Sequence, residues 1–72
     1  MNQIYVLCQR DKHGVMEPIA ASGSESELMV VADEADNEGF LPNDEEYTPL
    51  DWSGQYAYGE NYDFFIDLVV VV

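Results

Sequence analysis

From His13 to the last residue the chain contains no lysine or arginine, yet all but one of its 15 acidic residues fall in that stretch. Arg10 and Lys12 are the only cations, so the formal net charge is −13 over 72 residues. Self-repulsion on this scale opposes compaction, and acidic chains poor in apolar residues stay disordered. Here 47% of the residues are apolar and 12% aromatic, enough to build a core, and one folded domain over residues 1–72 is expected. A chain of this length buries only about 60% of its unfolded surface, which leaves no room for a second core or a cofactor fold. The charge also restricts partners. Nucleic acids and anionic membranes are bound by Lys and Arg displacing counterions, so direct contact with either would bring like charges together. A basic protein is the expected partner.

Cys8 is the only cysteine. It permits no internal disulfide and fits a reducing, cytoplasmic setting. No basic segment precedes the first apolar run, so no signal peptide is expected. The apolar run from Leu68 to Val72 is far short of the about 20 residues that span a bilayer.

The apolar pattern predicts an α+β fold. Ile4 to Gln9 reads as a strand with Ile4, Val6 and Cys8 on one face and Tyr5 and Leu7 on the other, which predicts a central position. A polar turn through Gly14 leads to a second strand, Val15 to Ala21, in which Pro18 argues for an edge or a bulge. Ser24-Glu25-Ser26-Glu27 matches a capping box and predicts a helix from about Glu25 to Glu38. Its apolar stripe is Leu28, Val31, Ala32 and Ala35, opposite Asp33, Glu34, Asn37 and Glu38. Gly39 is placed for a left-handed cap, with Phe40 behind it for the accompanying apolar contact. A loop follows through Pro42 to Pro49, then a short hairpin pairing Asp51 and Trp52 with Gln55 to Tyr58 across Ser53-Gly54. Tyr62, Phe64, Ile66 and Leu68 alternate with Asp63, Phe65 and Asp67 in a final strand that runs into the valines 69–72, buried on both faces or forming a sticky edge. The expected architecture is a small, mostly antiparallel β-β-α-(ββ)-β sheet with one amphipathic helix packed on one face.

Functional expectation centres on the acids. Asp33, Glu34, Asp36 and Glu38 on the helix, followed by Asp44, Glu45, Glu46 and Asp51 in the loop, form a negative stripe, because side chains three or four apart on a helix are neighbours. A nucleic-acid strand places a phosphate about every 3.4 Å along the duplex axis, so the loop must join the helix to reach that density. Such a stripe suits the Lys/Arg groove of a nucleic-acid-binding protein. A solvated face is the plain alternative, but solubility surfaces normally mix both signs. Tyr47, Tyr56 and Tyr58 interleave with these acids and join them as candidate partner-binding residues, since tyrosine buries large area at low entropic cost. Trp52 is expected in the core.

Two other chemistries leave partial signals in the sequence. Glu34, Asp36, Glu38, Gly39 and Glu45 fall on slots 1, 3, 5, 6 and 12 of a calcium-binding EF-hand loop, with Leu41 at the apolar slot 8, yet Pro42 takes slot 9 and Pro49 interrupts the exiting helix. No metal site is therefore assigned. Catalysis lacks support: Cys8 and His13 have no orienting third group or oxyanion site, and a chain this small offers little cleft in which to desolvate a carboxyl acid. No catalytic residue or cofactor is expected.

The opening Ile4-Tyr5-Val6, the Gly14 turn, the Ser24-x-x-Glu27 helix start and the closing Tyr62-Asp63-Phe64-Phe65-Ile66 resemble small phage and mobile-element reading frames of strand–strand–helix–strand layout. With the acidic charge, the chain is similar to phage anti-restriction and anti-CRISPR inhibitors, several of which are DNA mimics. That resemblance implies an inhibitor working in a host cell cytoplasm, which occupies the basic nucleic-acid-binding surface of a defence protein. The alternative is an interaction module without mimicry, such as a homodimer through Val69 to Val72. A weaker one is calcium binding at the acidic loop.

Overall fold

A computed structural model describes residues 2–71. Val72, the end of the expected valine strand, lies outside the described residues. Strands β1 (Asn2–Arg10) and β2 (Met16–Ser22) precede helix α1 (Glu25–Asp36), and β3 (Trp52–Ser53), β4 (Tyr56–Tyr58) and β5 (Asp63–Val71) follow it. All pair antiparallel in one sheet of order β2-β1-β5-β4-β3. This is the expected α+β layout.

β1 is central as its two apolar faces predict, lying between β2 and β5. Both readings of Pro18 hold. β2 is an edge strand, and its register with β1 shifts between Leu7, opposite Ala20, and Cys8, opposite Pro18. The turn between β1 and β2 is organised by Asp11, whose Oδ1 accepts the N–H groups of His13 and Val15, each at 2.9 Å. Gly14 takes the positive φ there, +86°, which residues with a Cβ rarely adopt.

Helix α1 covers one face of the sheet. Antiparallel partners share a face, so Leu7 and its partner Ile66, with Phe64 and its partner Ala57, point together toward Leu28 and Ala32. All six are buried. Tyr5, Met29, Ala35, Leu50, Trp52 and Tyr62 pack around this cluster; Trp52 belongs to the core periphery, as expected.

Several local expectations are corrected. The helix ends at Asp36, two residues early, because Glu38 already adopts a left-handed φ of +48° ahead of Gly39 at +100°. Phe40 does not fold back as a cap contact and stays exposed. Ser24 is the N-cap without a side-chain cap bond. Glu27 accepts instead from the Ser22 hydroxyl at 2.6 Å, and that hydroxyl accepts the Ser24 N–H at 3.0 Å. Val31 sits at the flank of the apolar stripe, more than a third exposed, whereas Met29 packs on the core. In the β3–β4 hairpin the two turn residues are Gly54 and Gln55, not Ser53 and Gly54. The single positive φ, +65° at Gly54, falls at the first turn position, where a II′ loop needs glycine.

Candidate functional site: an acidic pole at the end of the helix

The C-terminal turn of α1, the loop at 40–51 and the turn at 59–62 are tied into one end of the molecule by three side chains of the helix terminus. Asp36 lies in the last turn, on the face toward β5, and is only 6% exposed. A buried carboxylate must be satisfied, and this one accepts the Asn61 N–H at 3.0 Å and those of Glu60 and Tyr62 at 3.4 Å. Asn61 returns a bond from its side-chain amide to the Asp36 carbonyl, 2.9 Å. Gly59 makes this fit possible, since a Cβ there would collide with the Asp36 carboxylate and approach the Tyr62 carbonyl to 2.6 Å. Asn37, also buried, exchanges two bonds with the Thr48 backbone: its Oδ1 accepts the N–H at 2.8 Å and its Nδ2 donates to the carbonyl at 3.0 Å. Asp33 accepts the Leu50 N–H at 2.7 Å.

The loop itself is a succession of tight turns. Asp44 accepts the Leu41 N–H through Oδ2 at 2.7 Å while its own N–H returns to the Leu41 carbonyl at 2.9 Å. This self-bonding is what Asp does in turns that carry no strand or helix.

The eight acids therefore divide by role. Asp36 faces inward and offers no carboxylate to a partner; it stands four residues after Ala32 and eight after Leu28, on the buried stripe of the helix, a periodicity signal that grouping it with the other acids overlooked. Asp33 and Asp44 hold the loop. Glu34, Glu38, Glu45, Glu46 and Asp51 are exposed, and Glu60, which sequence reasoning passed over, joins them. Glu38, Glu46 and Glu60 line one cleft of about 320 Å³ beside Asp36 and Asn37. Asp51 and Glu60 line a second of about 430 Å³, walled by Thr48 to Leu50 and by Tyr58. Of the tyrosines, Tyr47 is half-buried against the pole, and partial burial followed by the charges of Asp33 and Glu34 holds its phenol above the ordinary range. Tyr56 and Tyr58 lie on the sheet face away from the helix, their rings stacked with centroids 6.0 Å apart.

Little cationic charge answers these acids. Arg10 pairs with Asp63 at 2.9 Å, a hydrogen bond that holds its guanidinium even more firmly charged, and Lys12 stands exposed in the β1–β2 turn. The EF-hand register is not realised as a chelating loop: Glu34 and Asp36 are still helical and Asp36 is occupied by backbone donors. Among the described residues no three His, Cys, Asp or Glu side chains are grouped to hold a metal ion. Cys8 lies on the uncovered sheet face, where burial and then nearby Asp67 push its thiol up, away from the reactive thiolate. Among the described residues no helix is long and apolar enough to cross a membrane. Comparison with protein-family models, with curated proteins and with solved structures finds no match to this chain.

Proposed function

We propose that the chain is an acidic inhibitor that sets its helix-end pole into the basic nucleic-acid-binding surface of a host defence protein and blocks it by occupancy. One observation carries the reading. The exposed carboxylates at 34, 38, 45, 46, 51 and 60 are not strung along a flexible tail; they stand on the end of α1, on the loop at 40–51 and on the turn at 59–62, which Asp33, Asp36 and Asn37 fasten together. Charge fixed in position does not have to be ordered on binding, so less entropy opposes association, and long-range attraction speeds encounter with a cationic surface. Asp36 takes no part in contact. It positions the loop that does.

The test is capture of a partner from nuclease-treated bacterial lysate across a salt series. The captured protein should bind nucleic acid on its own, and capture should fade at roughly 0.5–1 M salt, where the screening length falls below about 5 Å. Capture indifferent to salt, or of a protein with no affinity for nucleic acid, contradicts the proposal.

A second reading, strand-mediated self-association, is favoured by the edge of β5. β4 pairs only with Asp63 to Phe65, and the Ile66 N–H reaches the Gln55 carbonyl at 3.0 Å. Because strand hydrogen bonding alternates, the N–H groups of Leu68 and Val70 point to the same side, beyond the end of β4. Both side chains are exposed there, the condition in which edges pair with other chains. Salt separates the two readings, since it screens repulsion between like copies and strengthens a dimer while it weakens a basic complex. Glu45→Lys and Glu46→Lys together, which leave the loop-holding Asp44 in place, should abolish partner capture and leave strand pairing intact.

A further inference from the structure

Helix α1 covers one face of the sheet and leaves the other bare. An antiparallel sheet can keep one face in water, but that face then alternates to polar residues. Here it does not. Register places Ile4 beside Val69, Val6 beside Asp67, and Cys8 beside Phe65, all on the face opposite Leu7. Tyr56 extends the Phe65 row across β4, with ring centroids 5.6 Å apart, and Tyr58 stacks on Tyr56. Tyr58 is 68% exposed and Val69 42%. The same Tyr58 walls the larger acidic cleft with Asp51 and Glu60, so the apolar face meets the acidic pole at Tyr58, beside the Arg10–Asp63 pair.

Size and charge decide what covers it. About seven residues in each of β1, β2 and β5 and the three residues of β4, with strands about 4.8 Å apart and about 3.3 Å of rise per residue, give a footprint of roughly 400 Å². A stable interface needs about 800 Å² from each partner, which the face lacks unless the pole is engaged as well. A second copy fits poorly, because face-to-face pairing would cover the carboxylate of Asp67 in an apolar contact and bring together two chains of charge −13.

We propose that the bare face and the acidic cleft form one continuous docking surface for a single protein partner, whose apolar side chains cover Val6, Phe65 and Val69 while its lysines or arginines meet Asp67, Asp51 and Glu60. This rests on the reading of a basic partner and adds to it that the partner carries an apolar patch beside its cations.

Two peptide probes of equal charge test it: oligolysine, and a lysine/leucine peptide patterned for one apolar helical face, each followed by fluorescence anisotropy and by amide NMR shifts. The amphipathic peptide should bind at least about tenfold more tightly, a difference of about 1.4 kcal/mol, and shift Val6, Phe65 and Asp67 together with residues 46–60. The Val6→Thr/Val69→Thr double variant, which keeps β-branched residues in both strands, and Tyr58→Ala at the junction should each remove that advantage. Val30→Thr/Val31→Thr on the exposed flank of the helix should not. Equal affinity for both peptides, with shifts confined to the pole, overturns this inference and leaves the basic-partner reading standing. Binding of neither peptide overturns both. Self-association in sedimentation velocity that Val6→Thr/Val69→Thr abolishes would make a second copy the occupant, and so also overturns the inference.

Discussion

Asp36 is a carboxylate whose chemistry is spent inside the molecule. It answers three backbone donors in the turn at 59–62, so Asp36→Ala should strand those groups and cost about 2–3 kcal/mol in urea unfolding. Glu38→Ala or Glu46→Ala, at exposed positions crowded by like charge, should cost about 0.5 kcal/mol at most or slightly stabilise. Gly59→Ala places a methyl group where the Asp36 carboxylate sits. It should destabilise the parent chain clearly and cost less in the Asp36→Ala background, a coupling that a double-mutant cycle reads directly. Tyr47 gives a pH dependence. Its phenol is held above the ordinary value of 10.0 by burial and then by Asp33 and Glu34, so the folded state holds its proton more tightly than the unfolded chain does. The resulting stabilisation is complete below pH 10 and is lost as pH rises through the folded-state value. Unfolding followed at a series of alkaline pH values should show Tyr47→Phe losing less stability than the parent.

At the scale of elements, legibility in the sequence follows how much a position depends on its neighbours in the chain. The central β1, the bulge at Pro18, the hairpin around Gly54 and the Phe64/Ile66 stripe rest on alternation and turn chemistry within a few residues, and they stand in the fold. The helix was legible in its existence and its first residue but less so in its capping and its last turn. Ser24 loses the expected capping partner because Ser22, at the end of β2, lies close enough to take Glu27. Met29 replaces Val31 at the core because the angle at which α1 crosses β1 and β2 is set by tertiary packing, not by periodicity. The candidate site divides the same way. Charge density was plain from composition, and the inward place of Asp36 follows the spacing of Leu28 and Ala32, whereas its partners in the turn at 59–62, and with them the contribution of Glu60, lie 24 or more residues distant in the chain. The bare sheet face was hidden for a related reason: apolar residues on both faces of β1 mark a central strand, but nothing local says whether both faces are covered. Leu28→Ala should cost about 3 kcal/mol, in the range for a buried leucine, and Val31→Ala less than about 1 kcal/mol, as thermal unfolding of the two variants would show.

For the whole molecule, charge opposes the fold and promotes the proposed function. Like charges gathered at one pole repel each other in the free protein, so salt should raise the unfolding midpoint while it weakens the complex with a basic partner. A chain whose charge served only solubility would show the first effect without the second. The proposal of inhibition by occupancy makes a stricter demand, that the chain and nucleic acid exclude one another on the partner. The direct measurement is a competition titration: the captured partner is loaded with labelled nucleic acid, and the chain is added while release is followed by anisotropy. Release should be complete and stoichiometric with the parent chain and should fail with Glu45→Lys/Glu46→Lys. A stable ternary complex that retains the nucleic acid would contradict the account.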